Sequence, residues 1–261
     1  MPEGDTIWRT AAGLREWVGG RTVSSAWPER FAGLAGRTLE AVEPAGKHLL
    51  MRFSGGWTLH SHMRMTGSWH LYRTGDRWRQ PRHRVRAVLT FGDREAVCFS
   101  APVVDLVREG RAPVGHLGPD VLADDFPVAQ VVARARSVGP VALGELLLDQ
   151  RVCSGIGNVY KCEALWERRL DPWRSSADLS DAELGVLFET ARAAMRENVV
   201  RAAPRTFGGR PGAVHGRRGR PCPRCGRPVR ARAQGVEGRI TYWCPTCQHD
   251  KDSLDMSSCR L

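Results

Sequence analysis

Two pairs of cysteines in the last fifth of the chain constrain its folding most strongly. Cys222 and Cys225 form one CxxC motif, Cys244 and Cys247 form another, and 18 residues separate the two. Each motif places two thiolates on a tight turn, and four thiolates satisfy a tetrahedral zinc ion. A separation of this length suits a β-hairpin. We therefore expect these four cysteines to hold one structural Zn²⁺ that braces a hairpin.

The remaining cysteines lack such spacing and are interpreted as ordinary thiols. They are Cys98, Cys153, Cys162 and Cys259, of which the first three lie in apolar contexts that predict burial. The chain has acidic residues at positions 3 and 5 and no run of about 18 apolar residues. We expect neither a secretion signal nor a membrane span, but a cytoplasmic, nucleoid-associated protein. Disulfides are disfavoured in that setting.

Positive charge is concentrated at the two ends of the chain. The formal net charge is +11, made up of +6 in residues 1–118, −4 in residues 119–200 and +9 in residues 201–261. Arginine supplies nearly all of it, since only Lys47, Lys161 and Lys251 are lysines. A high genomic GC content explains the preference for arginine but not the uneven distribution. The planar guanidinium suits phosphate contacts, so we expect a polyanion such as DNA as partner.

The first half of the sequence predicts one helix followed by strands. Apolar residues recur at helical spacing through residues 3–18, before two glycines. Short apolar segments punctuated by Gly, Asp and Pro then predict strands at 21–27, 37–42, 48–53, 57–62, 68–72, 85–91 and 96–99. This pattern is typical of an antiparallel β-sandwich or barrel of roughly 100 residues.

The second half predicts helices, at residues 128–136, 143–150, 158–168 and 181–199. The last begins with a capping-box pattern at Ser180 and Glu183. Residues 201–221 contain six arginines and five glycines and predict a basic loop, either ordered by DNA or a simple linker. The fold class is α+β in several domains: residues 1–118, a helical domain 119–215, a zinc finger 216–250 and a tail 251–261.

The start of the chain, Met1-Pro2-Glu3-Gly4, carries potential chemistry. Removal of Met1 leaves a secondary amine on Pro2, and an α-amino group with a pKa of about 7.7–8.0 is partly an unprotonated nucleophile at neutral pH. Its attack on C1′ of a nucleoside yields an iminium ion. The alternative is that Pro2 only specifies removal of the methionine.

Three further residues lie in contexts that suit phosphate binding. Asn158 follows Gly155-Ile156-Gly157 and is predicted to cap a helix, Lys47 follows a turn, and Arg239 lies near the tip of the predicted hairpin. Each has an ordinary alternative: a packing corner, a solvated lysine and an exposed arginine without a special role.

Together, and in this order, these motifs resemble the formamidopyrimidine-DNA glycosylase and endonuclease VIII family of base-excision repair enzymes. The resemblance covers essentially the whole chain. It implies an N-terminal catalytic helix with a β-sandwich, a helix-two-turns-helix motif and a C-terminal zinc finger. The implied partner is double-stranded DNA that contains damaged bases or abasic sites, and we expect a monomer.

The resemblance also implies roles for individual residues. Pro2 is expected to attack C1′, Glu3 to act as acid and base, and Lys47 and Arg239 to contact phosphates and assist catalysis. The expected DNA-binding residues are Arg64, Met65, His116 and Asn158, with Met65 filling the space vacated by the extruded nucleotide and Arg64 probing the orphaned base. An isolated methionine otherwise belongs in a core.

The lesion class is less constrained than the reaction. The Pro-Glu-Gly start favours the endonuclease VIII branch and oxidised pyrimidines, whereas Met65-Thr66-Gly67 resembles the formamidopyrimidine branch and favours 8-oxoguanine and formamidopyrimidines. A non-catalytic zinc-finger DNA-binding protein and a zinc-ribbon component of a ribonucleoprotein are the alternatives from other functional classes.

Overall fold

The computed structural model describes residues 2–108, 110–200 and 212–249. The chain divides into two compact units, Met1–His116 and Leu117–Leu261. The predicted domain boundaries after residues 118, 215 and 250 remain proposals. Part of the predicted basic loop, the tail and Cys259 lie outside the described residues.

The first unit begins with a helix that packs one face into the core. Helix α1 (Gly4–Val18) buries Ile7, Ala11, Leu14 and Val18, as the helical spacing predicts. It ends where Gly19 leaves the helical conformation. The predicted amphipathic helix is therefore confirmed, and it places Pro2 and Glu3 at its N-terminal end.

Two four-stranded antiparallel sheets follow α1 and form a sandwich. Their strands are β1 (Ser25–Trp27), β2 (Leu39–Ala45), β3 (His48–Phe53), β4 (Trp57–His62), β5 (Ser68–Arg73), β6 (Val85–Phe91), β7 (Arg94–Phe99) and β8 (Val103–Arg108). One sheet has the order β1-β6-β7-β5 and the other β2-β3-β4-β8. Alternate apolar side chains of both sheets, with those of α1, form one core.

The sandwich departs from the sequence-based prediction at two strands. Strand β8 was missed, because its apolar residues are interrupted by Asp105 and follow Pro102, which obscures the alternation. The first strand is shorter than predicted, because residues 21–24 pair with two different segments of the chain. The N–H of Val23 donates to the Arg37 carbonyl, and the N–H of Ser24 donates to the Thr90 carbonyl. The other strands lie within three residues of their predicted ends.

The second unit is helical and then ends in a hairpin. Its helices are α2 (Val128–Ser137), α3 (Leu143–Leu146), α4 (Asn158–Glu167) and α5 (Asp181–Val199). Helix α3 is shorter than the predicted 143–150, because Leu148 and Asp149 donate to carbonyls three residues back and tighten the chain into turns. The capping box of α5 is present.

The predicted hairpin is confirmed as strands β9 (Arg230–Gln234) and β10 (Arg239–Trp243), between the two CxxC motifs. A small core of Cys162, Val214, Val229 and two of the motif cysteines joins the hairpin to α4. Among the described residues, no helix combines the length and apolarity that a membrane crossing requires.

Candidate active site and candidate metal centre

Pro2 and Glu3 lie at the N-terminal end of α1. Pro2 is partly exposed, whereas Glu3 is only 2% exposed and is the N-cap residue in an extended conformation. Its carbonyl accepts hydrogen bonds from the N–H groups of Thr6 and Ile7 at 3.0 and 3.2 Å. The positive end of the helix dipole favours a carboxylate there. A buried carboxylate thus directly follows the residue whose amine is the candidate nucleophile.

Lys47 lies in the two-residue turn between β2 and β3. Gly46, the first turn residue, has φ +58°, which glycine adopts without a side-chain penalty. Lys47 is half-buried and directly precedes His48, the first residue of β3. A short hairpin turn, rather than a flexible loop, therefore fixes the backbone of this lysine.

Arg64 and Met65 project from a tight turn after β4. Met63 is buried beneath the turn, Arg64 has φ +45°, and Met65 is 61% exposed. The turn closes through the N–H of Gly67 to the carbonyl of Met63 at 2.8 Å, and a Cβ at position 67 would lie 2.8 Å from the Met63 backbone. A left-handed arginine beside an exposed methionine is the kind of local strain found at binding sites.

Three histidines on β3 and β4, which sequence reasoning did not single out, connect these two turns. His48 and His62 are directly opposed in the ladder, and their ring centroids are 4.5 Å apart. Nδ1 of His48 lies 2.8 Å from Nε2 of His60, and the rings are stacked. Their alternation along the strands is visible in the sequence, but only the strand register shows that they meet.

The surroundings of these histidines are crowded with cationic groups. Burial lowers the pKa of His48 to about 3, and repulsion from the other two histidines, His116 and Lys47 adds to this. Burial, followed by Arg64 and other neighbours, lowers the pKa of His62 to about 4. The first unit thus brings Lys47, Arg64 and His116 around one histidine cluster.

In the second unit, a hydrogen bond ties Asn158 to the hairpin. The structure makes Gly157 the N-cap of α4 and Asn158 its first helical residue, so the predicted N-cap was wrong by one position. The extended conformation of Gly157 lets its carbonyl accept the N–H of Lys161 at 2.9 Å. Nδ2 of Asn158 donates to the Ile240 carbonyl at 2.8 Å, so one amide hydrogen is used and the other remains.

Arg239 is the first residue of β10. Its Nε donates to Glu237 at 3.1 Å, and both side chains are exposed, so the pair adds little stability. Arg239 and Asn158 lie within the same unit. Asn158 donates a hydrogen bond to Ile240, and Ile240 directly follows Arg239 in the chain.

Two buried charged residues of α4 were also missed from the sequence. Lys161 is fully buried and donates from Nζ to Thr241 Oγ1 at 2.7 Å. The carboxylate of Glu163 accepts the N–H groups of residues 213, 214 and 215 at 2.7–3.0 Å. Burial raises the pKa of Glu163, and these three N–H groups act against that rise. Lys161 thus joins the hairpin to α4, and Glu163 joins residues 213–215 to the same helix.

The four motif cysteines form a candidate metal centre. Their sulfurs all lie within 4.8 Å of one another, with 3.9 Å between Cys222 and Cys247 and 3.4 Å between Cys225 and Cys244. Tetrahedral zinc with sulfurs at about 2.3 Å separates them by roughly 3.8 Å. Despite burial, N–H donors lower the pKa of Cys222 to about 6, whereas burial and neighbouring thiols raise that of Cys247 to about 12.

Opposite pKa shifts of this kind arise when several thiols share a small volume, because each thiolate that forms makes it harder to deprotonate the next. A bound divalent cation removes this repulsion between the thiolates. The donor set and spacing therefore fit a closed tetrahedral site for a thiophilic metal.

Two family models match this chain. The formamidopyrimidine-DNA glycosylase N-terminal domain matches residues 1–102, and the formamidopyrimidine-DNA glycosylase H2TH domain matches residues 117–206. The two models cover most of the sandwich unit and the helices of the second unit.

Relatives match over nearly the whole chain. A probable endonuclease 8 2 of Streptomyces coelicolor is 44% identical, covering 95% of this chain and 94% of that protein. The DNA-(apurinic or apyrimidinic site) lyase Nei2 of Mycolicibacterium smegmatis is 35% identical, covering 95% and 99%. The crystal structure of the MutM (Fpg) protein from Thermus thermophilus has a TM-score of 0.78 and 32% identity, covering 95% and 98%.

Proposed function

The chain belongs to the formamidopyrimidine-DNA glycosylase and endonuclease VIII family, and on this premise we propose that it is a bifunctional DNA glycosylase and apurinic/apyrimidinic lyase. The observation that carries the proposal is the start of α1, where Glu3 is buried directly beside Pro2. A nucleophile and a proton-transfer group are thereby adjacent, as the proposed reaction requires.

The proposed reaction starts after Met1 has been removed. The Pro2 amine attacks C1′ of a nucleotide that has been extruded from the helix, and the damaged base leaves. Glu3 transfers protons during base loss, ring opening and elimination. Loss of the base leaves nitrogen and the ring oxygen on C1′, and cleavage of the C1′–O4′ bond with a proton supplied to O4′ then gives the iminium ion. The iminium ion acidifies the neighbouring sugar carbon, so β- and then δ-elimination leave a one-nucleotide gap flanked by phosphates.

In the first unit, Lys47, Arg64, Met65 and His116 are the proposed DNA contacts. Lys47 is held by its hairpin turn and is suited to a phosphate beside the lesion. The exposed Met65 is suited to fill the space of the extruded nucleotide, and Arg64 to probe the orphaned base. His116 is exposed and adds a further donor.

In the second unit, Asn158 and Arg239 are the proposed phosphate contacts. Asn158 retains one amide hydrogen, and Arg239 is exposed at the start of β10. We propose one structural Zn²⁺ on Cys222, Cys225, Cys244 and Cys247, which stabilises the hairpin and takes no part in the reaction. The substrate implies a site of action at the nucleoid, and we expect a monomer.

We propose oxidised pyrimidines as the lesion class, since the relatives named endonuclease 8 and Nei2 match over nearly the whole chain and Gly4 follows Pro2 and Glu3. Duplexes with single lesions test this. Thymine glycol, 5-hydroxyuracil and dihydrouracil should be excised, and a clear preference for 8-oxoguanine and formamidopyrimidines would instead assign the alternative lesion class.

Borohydride trapping on abasic-site DNA tests the reaction. A protein whose Met1 is shown to be absent should form a covalent adduct, and Pro2→Gly should form less of it through a primary amine. A chain that retains Met1 should bind DNA without trapping. If the processed protein binds DNA but forms no adduct, it is a non-catalytic DNA-binding protein; comparable binding to RNA without lesion preference would indicate a ribonucleoprotein component.

A further inference from the structure

The histidine pair on β3 and β4 shares a single proton between two nitrogens. Nδ1 of His48 and Nε2 of His60 are 2.8 Å apart, so one of them donates and the other accepts. The low pKa of His48 keeps its ring neutral at pH 7, and burial lowers the pKa of His60 as well. Two neutral rings joined in this way have only two possible arrangements of their protons.

The environment of His60 decides between these arrangements. His60 is 1% exposed, and its Nδ1 is buried without a hydrogen-bond partner among the described residues. If His48 donated, the His60 proton would have to lie on that nitrogen, leaving a buried N–H unsatisfied. An unsatisfied buried donor is rarer and more costly than an unused acceptor. His60 therefore donates from Nε2, and His48 accepts at Nδ1.

This arrangement fixes the proton of His48 on its other nitrogen. A neutral imidazole that accepts at Nδ1 carries its hydrogen on Nε2. His48 is half-buried, its Nε2 is not among the buried unsatisfied atoms, and the described residues supply no hydrogen bond to it. The His48 ring thus has an accessible N–H donor at Nε2, and the hydrogen bond from His60 to Nδ1 fixes the orientation of the ring.

The charges around this donor favour an anion. His48 directly follows Lys47 and is opposed by His62, which directly precedes the Met63–Gly67 turn with Arg64. Lys47 and His116 act electrostatically on His48, and Arg64 acts on His62. Asp105 opposes His60 on β8, on the far side of the histidine pair from Lys47.

We propose that His48 contacts a DNA phosphate through its Nε2 hydrogen and that His60 is the positioning residue that holds it in this tautomer. The proposal rests on the proposed function, because it assigns the anion as backbone phosphate of the DNA substrate. A neutral donor adds direction to the contact, since a hydrogen bond to a phosphate is directional, whereas the Lys47 ammonium acts mainly as a point charge.

Nitrogen NMR of the free, full-length protein labelled at histidine tests the tautomers. At pH 7, both His48 and His60 should be neutral, with the hydrogen on Nε2 and an unprotonated Nδ1. Spectra of His48→Phe and His60→Gln assign the signals. A hydrogen on Nδ1 of His48, or an imidazolium at either position, would overturn the proposal without any DNA being present.

Binding to a duplex with a tetrahydrofuran abasic analogue tests the phosphate contact. His48→Phe keeps a ring but no donor, and its affinity should fall about tenfold, as expected for one hydrogen bond to a charged group. His60→Leu should cause a similar loss because it frees the His48 ring. His60→Gln, whose amide can still donate to Nδ1, should restore most of the affinity.

A purely structural role for His60 predicts a different pattern, in which His60→Leu and His60→Gln weaken binding in proportion to their loss of thermal stability. Unchanged affinity in His48→Phe would also overturn the proposal. Failure of the proposed function is distinguishable, because it appears as absence of the borohydride adduct in the wild-type protein, whereas failure of this inference leaves that adduct intact.

Discussion

At the scale of single residues, two neighbouring groups divide the proposed chemistry between them. Pro2 is partly exposed, as the proposed nucleophile has to be, whereas Glu3 is buried at the positive end of α1. A proton-transfer group in such a place is shielded from water and held in one position, which general acid–base catalysis requires. The amine alone cannot move the protons that base loss and ring opening demand.

We expect Glu3→Gln to lower base excision by about 10²- to 10⁴-fold, the usual contribution of a general acid–base group. Borohydride trapping on preformed abasic sites should decline less, since the amine is unchanged. Single-turnover assays on lesion-containing and abasic duplexes measure the two steps. Asp5→Asn, a change at the other buried acid of this turn, is the matched control and should leave excision nearly intact. Equal losses in both variants would contradict a chemical role for Glu3.

A second residue-scale prediction concerns pH. The folded-state pKa values of His48 and His62, about 3 and 4, lie below the ordinary value of 6.5, so protonation favours the unfolded chain. Stability should therefore be fully present above pH 6.5 and decrease as the pH falls towards 4. The slope is at most about 1.4 kcal/mol per pH unit for each histidine, reduced by solvent screening of these partly exposed rings.

Denaturant unfolding of the wild-type protein between pH 7 and pH 4.5 measures this slope. The double variant His48→Gln, His62→Gln should show a flatter dependence over the same range. A wild-type slope that the double variant reproduces would show that other groups control the acid sensitivity.

At the scale of elements, local pattern and side-chain chemistry account for most of the fold. Helix α1, strands β3 and β4, and helix α5 follow the predicted bounds closely, because spacing, glycine stops and a capping box specify them within one segment. Helix α3 is ended by tight turns within its own segment, whereas β8 depends on pairing with β4, which is distant in sequence. The histidine pair likewise depends on strand pairing, since only the register of β3 against β4 joins His48 to His60.

The same distinction applies to the candidate site. The cysteine spacing predicted the cluster of four cysteines, because each CxxC motif and the hairpin between the motifs are local features of the sequence. The sequence did not predict the buried Lys161 and Glu163, because a charged residue in a helix is ordinarily a surface residue. The burial of Lys161 depends on the hairpin, and that of Glu163 on residues 213–215. The sequence placed Asn158 at the start of α4, although one position away from its predicted N-cap role, and its hydrogen bond to Ile240 could not be inferred from sequence.

Loss of the proposed zinc ion should loosen the hairpin. We expect Cys225→Ser to lose bound zinc and most of its DNA affinity, because structural zinc sites contribute apparent binding free energies of about 10–16 kcal/mol and the hairpin carries Arg239. Elemental analysis and duplex binding provide the measurements. Cys98→Ala is the control; burial raises the pKa of Cys98 to about 12, so it is a poor thiolate ligand and zinc should be retained. Stoichiometric zinc in Cys225→Ser would contradict the four-cysteine site.

At the scale of the whole molecule, charge is divided along the chain. The segments 1–118 and 201–261 are positive, and the segment 119–200 between them is negative. A polyanion is therefore attracted to particular parts of the protein rather than to all of it, and the attraction depends on the release of ions from the DNA.

Salt dependence measures how many phosphates are neutralised. Lys47 alone should give a slope of log K against log salt of about −1, and any further cationic contact to a phosphate makes it steeper. Lys47→Gln should make the slope shallower by about 1. Arg196→Gln, which removes an arginine already paired with Asp124, should leave the slope unchanged. Identical slopes in the wild type and Lys47→Gln would remove Lys47 from the proposed phosphate contacts.

The ion pair between Arg239 and Glu237 gives this hairpin a different relation to DNA. At the proposed phosphate contact, Arg239 exchanges this carboxylate for a phosphate. The exchange costs little because both side chains are exposed, but Glu237 stays two residues away and repels the incoming phosphate. The pair should therefore weaken the general attraction of the hairpin for DNA and favour only those phosphates that lie well placed for Arg239.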